Sequence, residues 1–209
     1  NTLGVNAVEG LSIDILEGQI EAVLSDIGTD SVKIGMLHSA EVVRSVARLL
    51  RKYGIKDVVL DPVMVSTSGH KLITPNIPEA EILLGKPIEK QGDLPAAARR
   101  LAQQYDVSVL LKAGHLVDDE LIDIFYNNET GEVIELSARR VDTPNTHGTG
   151  CTLSSAFAAQ LAKELPLNEA ARAAKEYINQ AITHGAAYTI GNGHGPVHHF
   201  YNLTVEQKH

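Results

Sequence analysis

The chain has 209 residues, 44% apolar and 21% charged, with a formal net charge of −8, a composition that fits one globular domain over residues 1–209 with a real core. No apolar run nears the roughly 20 residues that cross a bilayer, no secretory leader pattern opens the chain, and no cluster of Lys and Arg offers a nucleic acid its phosphate contacts. The one cysteine, Cys151, excludes an internal disulfide, so a soluble, cytoplasmic protein with a free thiol is expected.

From Asp14 the apolar positions Leu16, Ile20, Val23, Leu24 and Ile27 follow a helical period, and Asp14 with Glu17 has capping-box spacing. A short β-rich run, SVKIGML, comes next. Ser39 then caps a second helix with one stripe of Val42, Val43, Val46, Leu49, Leu50 and Tyr53, closed by Gly54. KDVVLDPVM reads as a fully buried strand. A short strand ending in LIT leads to a helix opened by Asn76 and closed by Gly85. An alanine-rich helix starts at Asp93 and runs to about Tyr105, and VSVLLK is another unalternating apolar strand. ELIDIFYN and EVIELS flank the turn-rich NETG and predict an antiparallel hairpin. Helices over about Cys151 to Leu165 and Asn168 to Ile190 finish the chain. Alternating helices and continuous apolar strands predict an α/β fold, a three-layer α/β/α sandwich around a mostly parallel sheet.

Two places break that pattern. Asp61 and Thr74 are about a dozen residues apart, with no helical period between them, whereas a parallel crossover needs more chain than that. Either the two strands are antiparallel, or a segment near residues 71–73 is missing. The opening NTLGV also enters mid-pattern, so a preceding segment is expected.

Four stretches can do chemistry. In THGTGC, Gly148 and Gly150 remove the Cβ atoms that would keep a ligand from the backbone. The amides from Gly148 to Cys151 lead into a helix N-terminus, which is suited to an anion. The same glycines would also serve tight helix packing. Cys151 falls in the first turn, where a thiolate is stabilised and could accept a proton from a substrate hydroxyl; a small buried hydrophobe is the alternative. Asn76 and Glu79 have capping-box spacing, and could instead turn to the sheet edge to hold a hydrated Mg²⁺. Lys112 ends a buried strand, where it is either solvated or aimed at phosphate oxygens. Asp61 ends another, as a turn cap, as charge balance for a metal or to orient a substrate. His147 and the histidines of GHGPVHHF lack a second ligand cluster of matching spacing, and His198 with His199 reads as a packed or capping pair. Asp61, Asn76, Lys112 and Cys151 all end strands or open helices, and so are expected to converge on one edge.

KIGML, VVLDPVM, SG, ITPNIPEAEILL, LLKAGH, NTHGTGCTLSSA and GHGPVHHF, in that order, resemble the hydroxymethylpyrimidine and hydroxymethylpyrimidine phosphate kinases of thiamine biosynthesis, within the ribokinase-like superfamily. The resemblance runs nearly end to end. It implies ATP-dependent phosphorylation of 4-amino-5-hydroxymethyl-2-methylpyrimidine and then of its monophosphate, with Mg²⁺, by a homodimer. It also implies that the amides of Gly148, Thr149, Gly150 and Cys151 form the anion hole, with Cys151 where sugar-kinase relatives carry an aspartate base. Lys112 would contact ATP phosphates, and Asn76 with Glu79 would serve Mg²⁺ and its waters. Met36 and Val63 would line the pyrimidine pocket, and the stretch from Arg140 to Thr146, including Thr143 and Thr146, would lie near the nucleotide with GNGHG. Relatives begin with a strand, a glycine-rich SGGAGIQAD-like turn and an AQN stretch, and carry a helix between SG and ITPN. Their substrate-binding aspartate and glutamine have no counterpart in this numbering. The competing readings are a pyridoxal kinase of the same superfamily and a non-catalytic pyrimidine sensor.

Overall fold

The structure, a computed structural model, describes residues 2–3, 6–7, 9–61, 70–113 and 120–203. Its elements are α1 (Ile13–Asp26), β1 (Val32–Ile34), α2 (Ala40–Lys52), β2 (Asp57–Leu60), β3 (His70–Ile73), α3 (Ile77–Leu84), α4 (Leu94–Tyr105), β4 (Ser108–Leu111), β5 (Glu120–Asn127), β6 (Glu132–Arg139), α5 (Thr149–Leu161) and α6 (Leu167–Gly185). The strands form one sheet in the order of the chain, β1 to β6. β1 to β4 are parallel, while β5 and β6 are antiparallel to their neighbours and form the hairpin expected from NETG.

Strand alternation decides which helices cover which face. Val59, Leu72, Leu110 and Phe125 point to α5 and α6, where Phe157, Ala170, Ala174 and Ile178 receive them. On the opposite face, Ile73, Val109, Leu111 and Ile124 pack against α3 and α4, and Val58 against α2. The sheet is therefore the middle of three layers. Every residue of β4 is buried, because both of its faces are covered.

β2 and β3 pair in parallel, with Val59 opposite Leu72, so the antiparallel alternative is excluded. Of the connection between them, residues 62–69 lie outside the described residues, as does Val63.

Two helix starts contrast in how well their capping spacing predicts the bonds. At α2 the Ser39 hydroxyl accepts from the Val42 amide at 3.2 Å, as the sequence predicts. At α1 the Asp14–Glu17 capping box does not form. The N-cap is Ser12, which makes no side-chain bond. Glu17 instead reaches across to α2, where it meets the guanidinium of Arg48 at 2.5 Å and accepts from the Ser45 hydroxyl. The hydrogen bond from Arg48 and then that from Ser45 hold the Glu17 carboxyl below the usual carboxylate range. A charged partner on the neighbouring helix outcompetes the local backbone.

The last helices are also shorter than their apolar period. α5 begins two residues earlier than expected, at Thr149, and ends at Leu161; Glu164 then adopts a left-handed conformation. α6 stops at Gly185 instead of Ile190. There the backbone of Val197 and His198 passes so close that a Cβ on Gly185 would fall 2.8 Å from the His198 nitrogen. The closing segment occupies the space into which the helix would have continued.

Candidate active site

The carboxyl ends of β1 to β4 share one edge, and the open end of the β5–β6 hairpin projects past it. The parallel strands deliver Gly35, Asp61, Thr74 and Lys112 to this edge, and α5 begins above them. Lys112 is tied to the end of β3, since its amide donates to the Pro75 carbonyl at 2.9 Å and it pairs with Asn76 in a single parallel bridge.

Asp61 is the centre of the polar cluster. It is buried, and its Oδ1 lies 3.1 Å from the Lys112 ammonium and accepts from the Thr74 hydroxyl at 3.3 Å. Its Oδ2 faces the Ser154 hydroxyl at 3.4 Å and the Lys33 ammonium at 3.9 Å. One carboxylate therefore serves two cations.

The glycine loop stands directly over that cluster. Gly148 is the N-cap of α5, and its φ of 80° is a left-handed conformation that a side chain would strain. A Cβ on Gly150 would lie 3.1 Å from the Lys112 Nζ and 3.9 Å from Asp61 Oδ2. Thr149 makes one long bond, 3.4 Å, to the Thr146 carbonyl. Among the described residues, the amides of Gly148, Gly150 and Cys151 donate to no acceptor. Free amides at the positive end of a 13-residue helix, beside a lysine, attract negative charge. The Cys151 thiol is exposed at the same helix start.

Beside the loop opens a cavity of about 790 Å³. Asn76, Lys112, Thr146, Thr149 and Gly150 form its inner end, and Leu121, Ala138 and Val141 from the hairpin face Ile178, Ile182 and Thr183 of α6. A buried ion pair sits in its wall: Lys175 Nζ donates to Asp123 Oδ2 at 2.6 Å, while Asp123 Oδ1 accepts from the Ala113 amide at 2.7 Å. This pair holds the backbone of Ala113, the residue after Lys112.

The residues expected at a metal are placed as follows. Asn76 and Glu79 form the capping box of α3, with the Asn76 amide donating to Glu79 Oε2 at 2.8 Å and the Glu79 amide to Asn76 Oδ1 at 2.9 Å. The other carboxylate oxygen of Glu79 takes no part in the box. Asp61 faces lysines and hydroxyls. No group of three or more His, Cys, Asp or Glu converges among the described residues. Met36 follows the end of β1 and is 55% exposed at the edge. The Thr143 hydroxyl accepts from the Asn145 amide at 3.1 Å and donates to the Ala186 carbonyl, so it braces the loop without lining the cavity.

The bracing centre of that loop is Asn145, which the sequence placed only within a stretch near the nucleotide and gave no structural role. It is almost fully buried, and its side-chain amide donates to the carbonyls of Gly185 at 3.0 Å and Tyr188 at 2.8 Å. Gly195 lies against it so tightly that a Cβ there would fall 2.0 Å from Asn145 Oδ1. The His147 amide donates to the Gly195 carbonyl at 3.0 Å. His199 completes the brace, its Nε2 3.0 Å from the Thr152 hydroxyl, which donates in turn to the Gly148 carbonyl at 2.8 Å. The ring of His198 packs on Tyr188. GHGPVHHF is thus a buttress for the glycine loop.

Comparison with known proteins agrees with this geometry. The chain matches the family described as Phosphomethylpyrimidine kinase over residues 1–73 and 70–198. The hydroxymethylpyrimidine/phosphomethylpyrimidine kinase of Rhizobium meliloti is 41% identical, the match covering 96% of this chain and 82% of that protein. Among solved structures, phosphomethylpyrimidine kinase from Clostridium difficile superposes with a TM-score of 0.70 at 37% identity, over 87% of this chain and 81% of that one. The pyridoxal kinase of Staphylococcus aureus, in complex with AMP-PCP and pyridoxal, superposes with a TM-score of 0.84 at 29% identity, over 94% of this chain and 77% of that one. A ribokinase-like sandwich with bare amides over a lysine at its strand ends, matched in sequence along most of its length, belongs to the phosphomethylpyrimidine kinase family, and the chain is a phosphotransferase.

Proposed function

We propose that the chain transfers the γ-phosphoryl group of ATP to the hydroxymethyl oxygen of 4-amino-5-hydroxymethyl-2-methylpyrimidine and then to the resulting monophosphate, as a step of thiamine biosynthesis. The observation that carries this reading is the set of unpaired amides of Gly148, Gly150 and Cys151 at one helix start, with Gly150 against Lys112 at the inner end of the cavity. Phosphoryl transfer demands chiefly positioning and stabilisation of charge on the moving oxygens, and fixed amides with a neighbouring ammonium supply both.

The cavity takes the nucleotide, with Lys112 on its phosphates and Thr146 at its side. Cys151, exposed at the helix start, faces the acceptor and takes the hydroxyl proton. Met36 lines the acceptor's ring. Lys112 owes its place to Asp61 in front and to the Asp123–Lys175 pair behind.

The acidic groups at this edge fit Mg²⁺ better than a cation that needs a protein cage. Mg²⁺ keeps several waters and binds through one or two carboxylates and the substrate phosphates, and Glu79 has one carboxylate oxygen outside its capping box. Glu79 with Asn76 would hold the ion's water shell, and the ion would neutralise charge along the ATP phosphates. The two pieces of the family match overlap at residues 70–73, which supports a longer β2–β3 connection in the intact protein.

Product analysis that resolves mono- and diphosphate, with ATP, Mg²⁺ and hydroxymethylpyrimidine on the full-length protein, tests the reading. Sequential appearance of both products is expected. Binding without ADP release would replace the enzyme with a sensor, and a higher kcat/KM on pyridoxine would make it a pyridoxal kinase.

A further inference from the structure

We propose that Lys33 selects the phosphorylated acceptor: its ammonium holds the monophosphate during the second transfer and is dispensable for recognising the uncharged alcohol in the first. The inference rests on the two-step reading above.

The charges around Asp61 are unequal among the described residues. Lys112, at 3.1 Å, is within hydrogen-bond reach of the carboxylate, whereas Lys33, at 3.9 Å, is not. Thr74 and Ser154 already occupy the remaining faces of the two oxygens. One negative charge thus stands against two positive ones, and Lys33 has no hydrogen-bonded partner among the described residues. Its side chain is only 20% exposed, so little water compensates it. A cation left in excess at a largely buried site calls for an anion.

Position identifies which anion. The Lys33 ammonium lies along the carboxyl end of β1, where a Cβ on Gly35 would come within 3.2 Å of its Nζ. Met36, on the acceptor's side, is the next residue. From there the ammonium reaches Asp61 Oδ2, itself 3.9 Å from the Cβ position of Gly150. Lys33 therefore stands between the acceptor wall and the amides that receive the moving group, outside the nucleotide cavity, whose lining does not include it. An alcohol brings no charge to that place. A phosphate monoester brings about −1.5 to −2.

In the second transfer an oxygen of the acceptor phosphate forms a bond to the γ-phosphorus, the bond from γ-phosphorus to the β–γ bridging oxygen breaks, and ADP leaves with that electron pair. Lys33 takes no proton and forms no bond. It lowers the repulsion between two phosphates brought together.

The test is kcat/KM for each transfer measured separately, on hydroxymethylpyrimidine and on its monophosphate, in full-length wild type, Lys33→Met, Lys33→Gln and Lys33→Arg, with thermal melting as the check on folding. Loss of one charged hydrogen bond predicts that the ratio of second-step to first-step kcat/KM falls by about 30-fold in K33M and K33Q, mainly through KM for the monophosphate. K33R is expected to restore most of it. A ratio that stays at the wild-type value in the neutral variants, whether both steps fall together or neither does, overturns the assignment and leaves Lys33 as a partner of Asp61 alone. Wild-type protein that performs neither transfer would overturn the functional reading itself, which keeps the two failures distinct.

Discussion

Two buried carboxylates stand at the same edge of the sheet and are paired in opposite ways. Asp123 has one cation, Lys175 at 2.6 Å, and one backbone amide, Ala113 at 2.7 Å. Its charge is matched and its oxygens are taken. Asp61 has two cations at 3.1 and 3.9 Å and two hydroxyls at longer range, directly beneath unpaired amides. The first arrangement is closed and holds the backbone of Ala113 in place. The second carries surplus positive charge and is complete only when an anion joins it. Burial alone does not separate a structural ion pair from a site; the balance of charge and the state of the neighbouring amides do.

The strongest way to break the open cluster is to fill the space above it. Gly150→Val places a branched side chain against the Lys112 ammonium, and kcat is expected to fall by about 10³-fold or more while the melting temperature changes little. Substantial turnover in that variant would remove the loop from the reaction.

Neutralising each carboxylate in turn sharpens the contrast. Asp123→Asn strands the Lys175 ammonium in a closed site and should cost about 3–5 kcal/mol in chemical denaturation. Asp61→Asn leaves two lysines with 14% and 20% of their side chains exposed, so its stability cost should be smaller and its loss of kcat/KM larger, about 10²-fold. Equal stability costs with equal activity losses would erase the distinction.

Cys151→Ala tests the proton acceptor at the open cluster. A kcat lowered by about 10²-fold with little change in KM is expected, and an unchanged rate would show the thiol to be a bystander.

The smallest effect belongs to a pair on the surface of the same fold. The Glu17 carboxyl is held low by Arg48 and Ser45, so its contribution to stability is present above the unfolded-state carboxylate pKa and disappears as pH falls through the folded-state value. Glu17→Gln should lower the melting temperature slightly at neutral pH and not at all in strong acid. A difference that persists in acid would assign the effect to packing.

Much of the local structure was legible because its causes are local. The Ser39 cap, the capping box of Asn76 and Glu79, the turn between β5 and β6 and the continuous apolar runs of β2 and β4 each depend on residues a few positions apart. Asp14 and Glu17 were not legible in this way, because Arg48 and Ser45 lie on another helix, nor was the end of α6, where Val197 and His198 block extension. The bracing role of Asn145 was not legible for a related reason, since its side-chain partners are 40 or more positions away.

The sequence by itself determined the α/β class, the family and the positions at which chain direction changes, because hydrophobic period, caps and glycines act through neighbours along the chain. Tertiary structure alone decided that β2 and β3 run parallel, that Asp61 answers to both Lys33 and Lys112, and that GHGPVHHF braces the glycine loop. Those facts depend on which residues the packed sheet brings within a few ångströms of one another, and separation along the chain carries no measure of that.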